Sequence, residues 1–178
     1  MVSIHTERLE LIPLNAQQIQ LLSESRAALE TSMNLAHSNL VLNAEEDFMG
    51  EFESAIQGYI LPKLIANPEH FEWYTHWLIV NKALRLTIGG IGITGLPNEC
   101  GETMMGYFVD ASFEGRGIAT EAVEGLLRWM FQNEDLKAVI ADTLVDGFAS
   151  QKVLQKNGFS LVGTVEEGLR WKVERPEF

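Results

Sequence analysis

The sequence predicts an α/β fold in which helices come first and a mixed sheet, carrying two further helices, fills the second half. Three observations support this. Apolar residues recur at three- and four-residue steps between Ala44 and Ile65, and again between Gly115 and Gln132, the period of a helix with one buried face. The chain from Thr75 to Asp110 breaks instead into short apolar runs separated by turn residues, as strands do. A glycine-bearing loop, Glu114-Gly115-Arg116-Gly117, joins the last of these runs to the second helix.

Taken in order, Glu7 to Leu14 alternates apolar and polar residues and stops at Pro13, as a short strand would. Asn15 can cap a helix whose apolar face is Ile19, Leu21, Leu22 and Leu29. The helix from Ala44 to Ile65 carries Phe48, Phe52, Ile56, Tyr59, Ile60 and Leu64 on one face and is expected to be disturbed near Pro62. Thr75–Asn81 and Arg85–Thr94 read as two strands joined by a short turn. Leu96 to Gly101 is a hairpin loop, and Glu102–Asp110 a further strand. The helix from Gly115 to Gln132 buries Ile118, Ala119, Ala122, Val123, Leu126, Leu127, Met130 and Phe131. Ala138–Ala141 is a short buried strand, and Phe148–Asn157 a helix ending at Gly158. Phe159–Val165 and Leu169–Val173 close the chain as strands.

A length of 178 residues suits one domain, 1–178, without a linker or repeat. With 46% hydrophobic and 21% charged residues the composition is that of an ordinary globular protein, able to bury roughly two-thirds of its unfolded surface. Cys100 stands alone, which rules out an internal disulfide and a Cys-rich zinc site; no metal is expected. Without a basic start leading into an apolar run, and without a long apolar segment, neither a signal peptide nor a membrane span is expected, and the cytoplasm is the default location. Net charge is −12, from 13 Lys+Arg against 25 Asp+Glu. Such a surface repels phosphate backbones, so nucleic acid is not an expected partner. It favours a cationic acceptor weakly and serves mainly solubility.

The glycine loop carries the chemistry. The first N–H groups of a helix have no partner within it, and the helix dipole is positive there. Two glycines let the backbone approach a bulky anion, so Glu114 to Thr120 can wrap a phosphate or pyrophosphate, with Arg116 adding charge or facing solvent. A P-loop would need Gly-Lys-Ser/Thr where this chain has Gly117-Ile118-Ala119. The Gly90-Ile91-Gly92-Ile93-Thr94-Gly95 run matches a dinucleotide fingerprint by letter, but Leu96-Pro97-Asn98 follows it and not a helix.

Several motifs in order resemble the GNAT superfamily of acyl-CoA N-acyltransferases, in particular its Rim-type, ribosomal-protein N-terminal acetyltransferase branch. Glu114 to Ala119 is similar to that family's pyrophosphate loop, and Ala119-Thr120-Glu121-Ala122 to its continuation. Gly106-Tyr107-Phe108-Val109 resembles its Gly-Tyr strand, Ser150 to Phe159 its Ser-x-x-Val-Leu helix and turn, and Thr6-Glu7-Arg8-Leu9 its opening. The resemblance implies a mixed, mostly antiparallel central sheet of six to seven strands flanked by about four helices. It implies acetyl-CoA as acyl donor, an amine acceptor such as a peptide N-terminus or small amine, and a homodimer as one available assembly. It implies cofactor contacts from Phe108, Val109, Glu114, Gly115, Arg116, Gly117, Ile118, Ala119, Thr120 and Ser150. The chain departs from the family at Glu114, where Gln or Arg is usual, and at Gly147, where Asn is common. Two further departures remove proton-transfer groups: Met104 stands for a candidate base, and Leu154 for a tyrosine acid.

Acetyl transfer needs a neutral amine, a polarised carbonyl and a protonated leaving thiolate. The resemblance gives the carbonyl a backbone N–H from Phe108 or Val109. Ser150, one helical turn before Leu154, is the candidate acid, or a first-turn residue bonded to backbone. Glu102, on the Met104 face of its strand, is the candidate base, or a solvated hairpin-end residue. Tyr74, His76 and His37 are candidate borders of the acceptor pocket, though the aromatic cluster around the first two also reads as core. The competing reading is an acyl-CoA-binding sensor or scaffold that has lost catalysis.

Overall fold

A computed structural model describes residues 2–43 and 48–177. The strands are β1 (Ile4–His5), β2 (Leu9–Pro13), β3 (His76–Asn81), β4 (Leu86–Ile93), β5 (Glu102–Val109), β6 (Ala138–Leu144), β7 (Ser160–Val165) and β8 (Gly168–Glu174). The helices are α1 (Ala16–Glu24), α2 (Arg26–Ser32), α3 (Phe48–Ala55), α4 (Leu61–Ala66), α5 (Ile118–Met130) and α6 (Phe148–Lys156). The strands form one sheet in the order β1-β2-β3-β4-β5-β6-β8-β7, antiparallel except where β5 meets β6. This is the mixed, mostly antiparallel α/β sheet expected, with one strand beyond the upper count and six α-helices where about four were expected.

The additional elements have local causes. β1 is two residues long and has no readable alternation; it is held by its antiparallel register with Leu11 and Glu10. The first helix closes at Ser25, whose hydroxyl accepts from the Ala28 N–H and starts α2 as a separate helix. Asn15 caps α1 as expected, in a reciprocal box with Gln18 at 2.9 Å in both directions. The expected start of the next helix at Ala44 lies outside the described residues. Its disturbance comes one turn before Pro62, as a wide turn over Ile56–Ile60 in which the Leu61 N–H reaches back to the Ile56 carbonyl. Pro62 then sits in the first turn of α4, directly after the wide turn.

The sheet separates two apolar layers. One packs α5 and α6 against Leu9, Leu11, Ile79, Ile91, Met105, Val139 and Trp171, and the other packs α1, α2 and α4 against Ile12, Leu78 and Val80. Part of the aromatic cluster is core. Trp73 and Trp77 each lie 5.1 Å from Trp129, ring centre to ring centre.

The feature that positions the site is a seam. β5 and β6 run parallel and in register only from Glu102 to Met104, opposite Ala138 to Ile140, and then diverge. β5 continues alone against β4, and β6 alone against β8. Asp110 donates to the Ile88 carbonyl and Thr94 to the Met104 carbonyl, which fixes 90/108 and 92/106 as the hydrogen-bonded pairs of the β4–β5 ladder. By alternation, the N–H and C=O groups of Met105, Tyr107 and Val109 turn the other way, into the opening that β6 leaves.

Candidate active site

The seam opens into a cavity of about 380 Å³ that runs through the sheet, from Ser150 and Leu154 on α6 to Phe52 on α3, with Gly106, Tyr107, Phe108 and Asp142 along it. The glycine loop follows β5 and enters α5. Gly115 and Gly117 hold φ of +72° and +76°, the left-handed region that suits glycine, and Gly117 is the N-cap without a side-chain cap. The Glu121 N–H is the first to bond back into the loop, to the Gly117 carbonyl. The six preceding amides, Gly115 to Thr120, have no acceptor among the described residues. Open donors at a helix start are the groups an anion needs, and this loop offers six in succession.

A latch holds this cradle from below. Glu121, in the first turn of α5, accepts from the Thr6 hydroxyl at 2.6 Å, the Arg8 N–H at 2.8 Å and Arg8 Nε at 2.6 Å. Arg8 Nη1 also reaches the Arg116 carbonyl at 2.8 Å. Burial acts against the Glu121 carboxylate, but its bonds to Thr6 and Arg8 outweigh this and hold its pKa below the usual value. The Thr6-Glu7-Arg8 opening and the Ala-Thr-Glu-Ala continuation are thus the two halves of one contact. The Arg116 guanidinium stacks 5.3 Å from the Phe113 ring centre. Glu114 accepts from Asn43 Nδ2 at 2.9 Å, so its carboxylate is engaged by a neighbouring loop.

Ser150 lines the cavity, and its Oγ lies 2.8 Å from the Tyr107 hydroxyl, which also donates to the Ser150 carbonyl at 3.2 Å. Burial raises the phenol's pKa, partly offset by the bond to Ser150. Of the two amides named for the thioester carbonyl, that of Val109 faces the opening; that of Phe108 points to β4, while the Phe108 ring lines the cavity.

Glu102 is not brought to Ser150. It sits at the closed end of the seam, 2.5 Å from Lys172 Nζ, and does not line the cavity. The cavity-lining carboxylate is Asp142 on β6, forked by Arg170 at 2.9 Å through Nε and Nη2. Tyr74 and His76 both line the cavity, whereas His37 is an outlying residue bonded to Thr31 at 2.8 Å. His76 is buried, and its pKa is pushed down to about 3 by that burial, with the Arg26 guanidinium adding to it. It is therefore neutral at working pH and too weak a base to deprotonate an ammonium. At Gly147, the Gln151 side chain takes up the loop instead, donating to the Leu144 and Val145 carbonyls at 3.0 and 3.1 Å. The Tyr107 hydroxyl and Asp142 were not singled out in the sequence. An in-register tyrosine beside a strand glycine was the available signal for the first.

Among the described residues no helix is long and apolar enough to cross a membrane, and no three His, Cys, Asp or Glu side chains gather as a metal site. The family model described as "Acetyltransferase (GNAT) domain" matches residues 8–160. The uncharacterized N-acetyltransferase YjdG of Bacillus subtilis is 32% identical over 98 residues, covering 55% of this chain and 58% of that protein. The match thus spans under two-thirds of that relative's length. The ribosomal-protein-serine acetyltransferase of Escherichia coli is 25% identical over 148 residues, covering 83% of this chain and 74% of that protein. A solved ribosomal L7/L12 α-N-protein acetyltransferase in complex with coenzyme A superposes with a TM-score of 0.68 at 17% identity, covering 97% of this chain and 98% of that one.

Proposed function

This chain belongs to the acetyltransferase (GNAT) family, and on that footing we propose that it transfers the acetyl group of acetyl-coenzyme A to a primary amine, a peptide N-terminus or a small amine. One observation supports the reading: six consecutive amides, Gly115 to Thr120, have no acceptor among the described residues at the start of α5, the helix that follows β5, whose edge toward β6 is unpaired beyond Met104. The residues present fit the donor. The amides of Gly115, Arg116, Gly117, Ile118, Ala119 and Thr120 would hold the pyrophosphate, with Glu114 turned to Asn43 and away from the charge. The free edge of β5, at Met105, Tyr107 and Val109, would hold the pantetheine arm as an added strand. Bound acetyl-coenzyme A supplies the activated acyl carbon and a thiolate leaving group.

In this reading the Val109 N–H polarises the acyl carbonyl. The Ser150 hydroxyl gives its proton to the departing sulfur and recovers one from Tyr107, whose phenol is refilled from solvent. The amine's proton passes to water, and Glu102 serves the closed end of the seam through Lys172. The whole chain acts as one catalytic unit, in the cytoplasm. The hydroxyl pair lining the cavity supports turnover over bare binding, because such a pair can supply the proton that the leaving thiolate needs.

The test is calorimetric titration with acetyl-coenzyme A of the native chain and of Gly117→Glu. Micromolar binding, about −8 kcal/mol, that is lost in the variant supports the reading. No binding to the native chain at millimolar ligand overturns it.

A further inference from the structure

Resting on the acetyltransferase reading, we propose that Asn43 is a positioning residue of the donor site. It holds the Glu114 carboxylate away from the glycine loop, so that the loop can take the pyrophosphate of acetyl-coenzyme A.

Glu114 directly precedes the open amides Gly115 to Thr120. The reach of one side chain therefore keeps its carboxylate within a Debye length, about 10 Å at 0.1 M salt, of an anion seated on the first of them. Like charges this close repel, and water around an exposed site weakens the effect without removing it. A pyrophosphate loop that opens on a carboxylate works better when that charge is kept aside.

No cation does this. Glu114 takes part in none of the ion pairs among the described residues. The Arg116 guanidinium stacks on the Phe113 ring at 5.3 Å, and that of Arg8 is taken by Glu121 and the Arg116 carbonyl. Glu114 Oε2 accepts instead from the neutral Asn43 Nδ2 at 2.9 Å. A hydrogen bond to a carboxylate is stronger than one between neutral groups. It fixes the direction of the charge without cancelling it, so its effect is one of position.

Asn43 is itself held in place by the turn that leads into the glycine loop. Asp110 opens that turn, accepting from the Ser112 N–H at 2.9 Å and from the Val41 N–H at 2.8 Å. The Ala111 N–H donates to the Val41 carbonyl at 2.7 Å and closes the ring. Asp110 is buried, which strengthens its bonds and ties Val41 firmly. The turn ends at Glu114. One short turn thus grips Val41 at its start and presents Glu114 at its end, where Asn43, two residues past Val41, meets it. Upstream the same segment is fastened twice more. The Ser38 N–H donates to Glu30 Oε2 at 2.9 Å, and the Ala36 N–H to the Arg85 carbonyl at 2.8 Å. The donor loop therefore depends on a segment that leaves α2, on the helical layer across the sheet from α5.

The test is calorimetric titration with acetyl-coenzyme A, at about 20 mM and about 0.5 M salt, of the native chain, Asn43→Ala, Glu114→Gln and the double variant. At low salt Asn43→Ala is expected to weaken binding about three- to tenfold. At high salt the loss should fall below about twofold, because repulsion is screened and a packing defect is not. In the Glu114→Gln background the same change should cost less than about twofold at either salt, since no charge remains to be held aside. Asn43→Leu, of similar size and without a donor, should behave as Asn43→Ala and replaces it should that variant not fold. No loss on changing Asn43, a loss that salt leaves untouched, or equal losses with and without the Glu114 charge overturns the proposal. A native chain that does not bind acetyl-coenzyme A overturns the acetyltransferase reading instead.

Discussion

The hydroxyl oxygens of Tyr107 and Ser150 lie 2.8 Å apart in the cavity wall, one carried by the sheet and the other by α6. Burial lifts the phenol above its ordinary 10.0, so it stays protonated through the working range.

Tyr107→Phe is therefore expected to lower kcat by about 10- to 100-fold with little change in acetyl-coenzyme A affinity. Ser150→Ala should do the same, and the double variant should be little worse than either single one, because the two groups form one relay. Steady-state kinetics beside calorimetry distinguish this from a packing defect, which would move affinity and stability together.

Glu121→Ala removes the acceptor shared by Thr6 and Arg8. Arg8 is 43% exposed, so the ion pair itself contributes little. The expected loss is about 1 kcal/mol, since the Thr6 hydroxyl keeps the Leu9 carbonyl at 3.3 Å and the exposed Arg8 amide can turn to water. Acetyl-coenzyme A affinity should fall several-fold, since the Arg116 carbonyl loses its brace. Chemical denaturation and calorimetry check the two effects separately.

Acid stability has two windows. The folded-state pKa of His76 lies near 3 against 6.5 unfolded, so the unfolded chain binds the extra proton and stability falls as pH drops from about 6.5 toward 3. Asp110 and Glu121 are held below their usual 3.8 and 4.5, so their contribution is lost only at lower pH. His76→Phe should flatten the decline between pH 6.5 and 4.5, on the order of 2 kcal/mol, and leave the more acidic limb in place. Denaturant midpoints measured across pH check this.

Gly90→Ala places a methyl into the His76 ring and should destabilise by about 1–3 kcal/mol. Adding His76→Ala should recover part of that. Gly106→Ala meets nothing within 4 Å and should leave stability unchanged or raise it by about 0.5 kcal/mol. Its methyl nevertheless enters the cavity, so KM for acetyl-coenzyme A should rise. Thermal melts and kinetics on the two variants make the contrast.

Local signals were readable along the chain and contacts across it were not. Gly115-Arg116-Gly117 announced a strand-to-helix loop because the glycines and the apolar stripe after them are neighbours in sequence. Asn15 announced α1 for the same reason. Ser25 carries an equally local capping signal, but the apolar spacing running past it masked the break. Tyr107 and Ser150 are 43 positions apart, and Arg8 and Glu121 are 113, so each pairing depends on the sheet order. Glu102 looked available because Lys172, its partner, arrives from the far end of the chain.

The seam has a thermodynamic consequence. Only three register pairs join β5 to β6, so the five strands before it and the three after it are two halves with little hydrogen bonding between them. Amide exchange in the ligand-free chain should expose Tyr107 and Val109 as readily as an outer edge, although they lie in the middle of the sheet. A ligand seated along β5 would then act as a missing ninth strand, slowing exchange at the seam while the apolar layer under α5 and α6 already ties the two halves together.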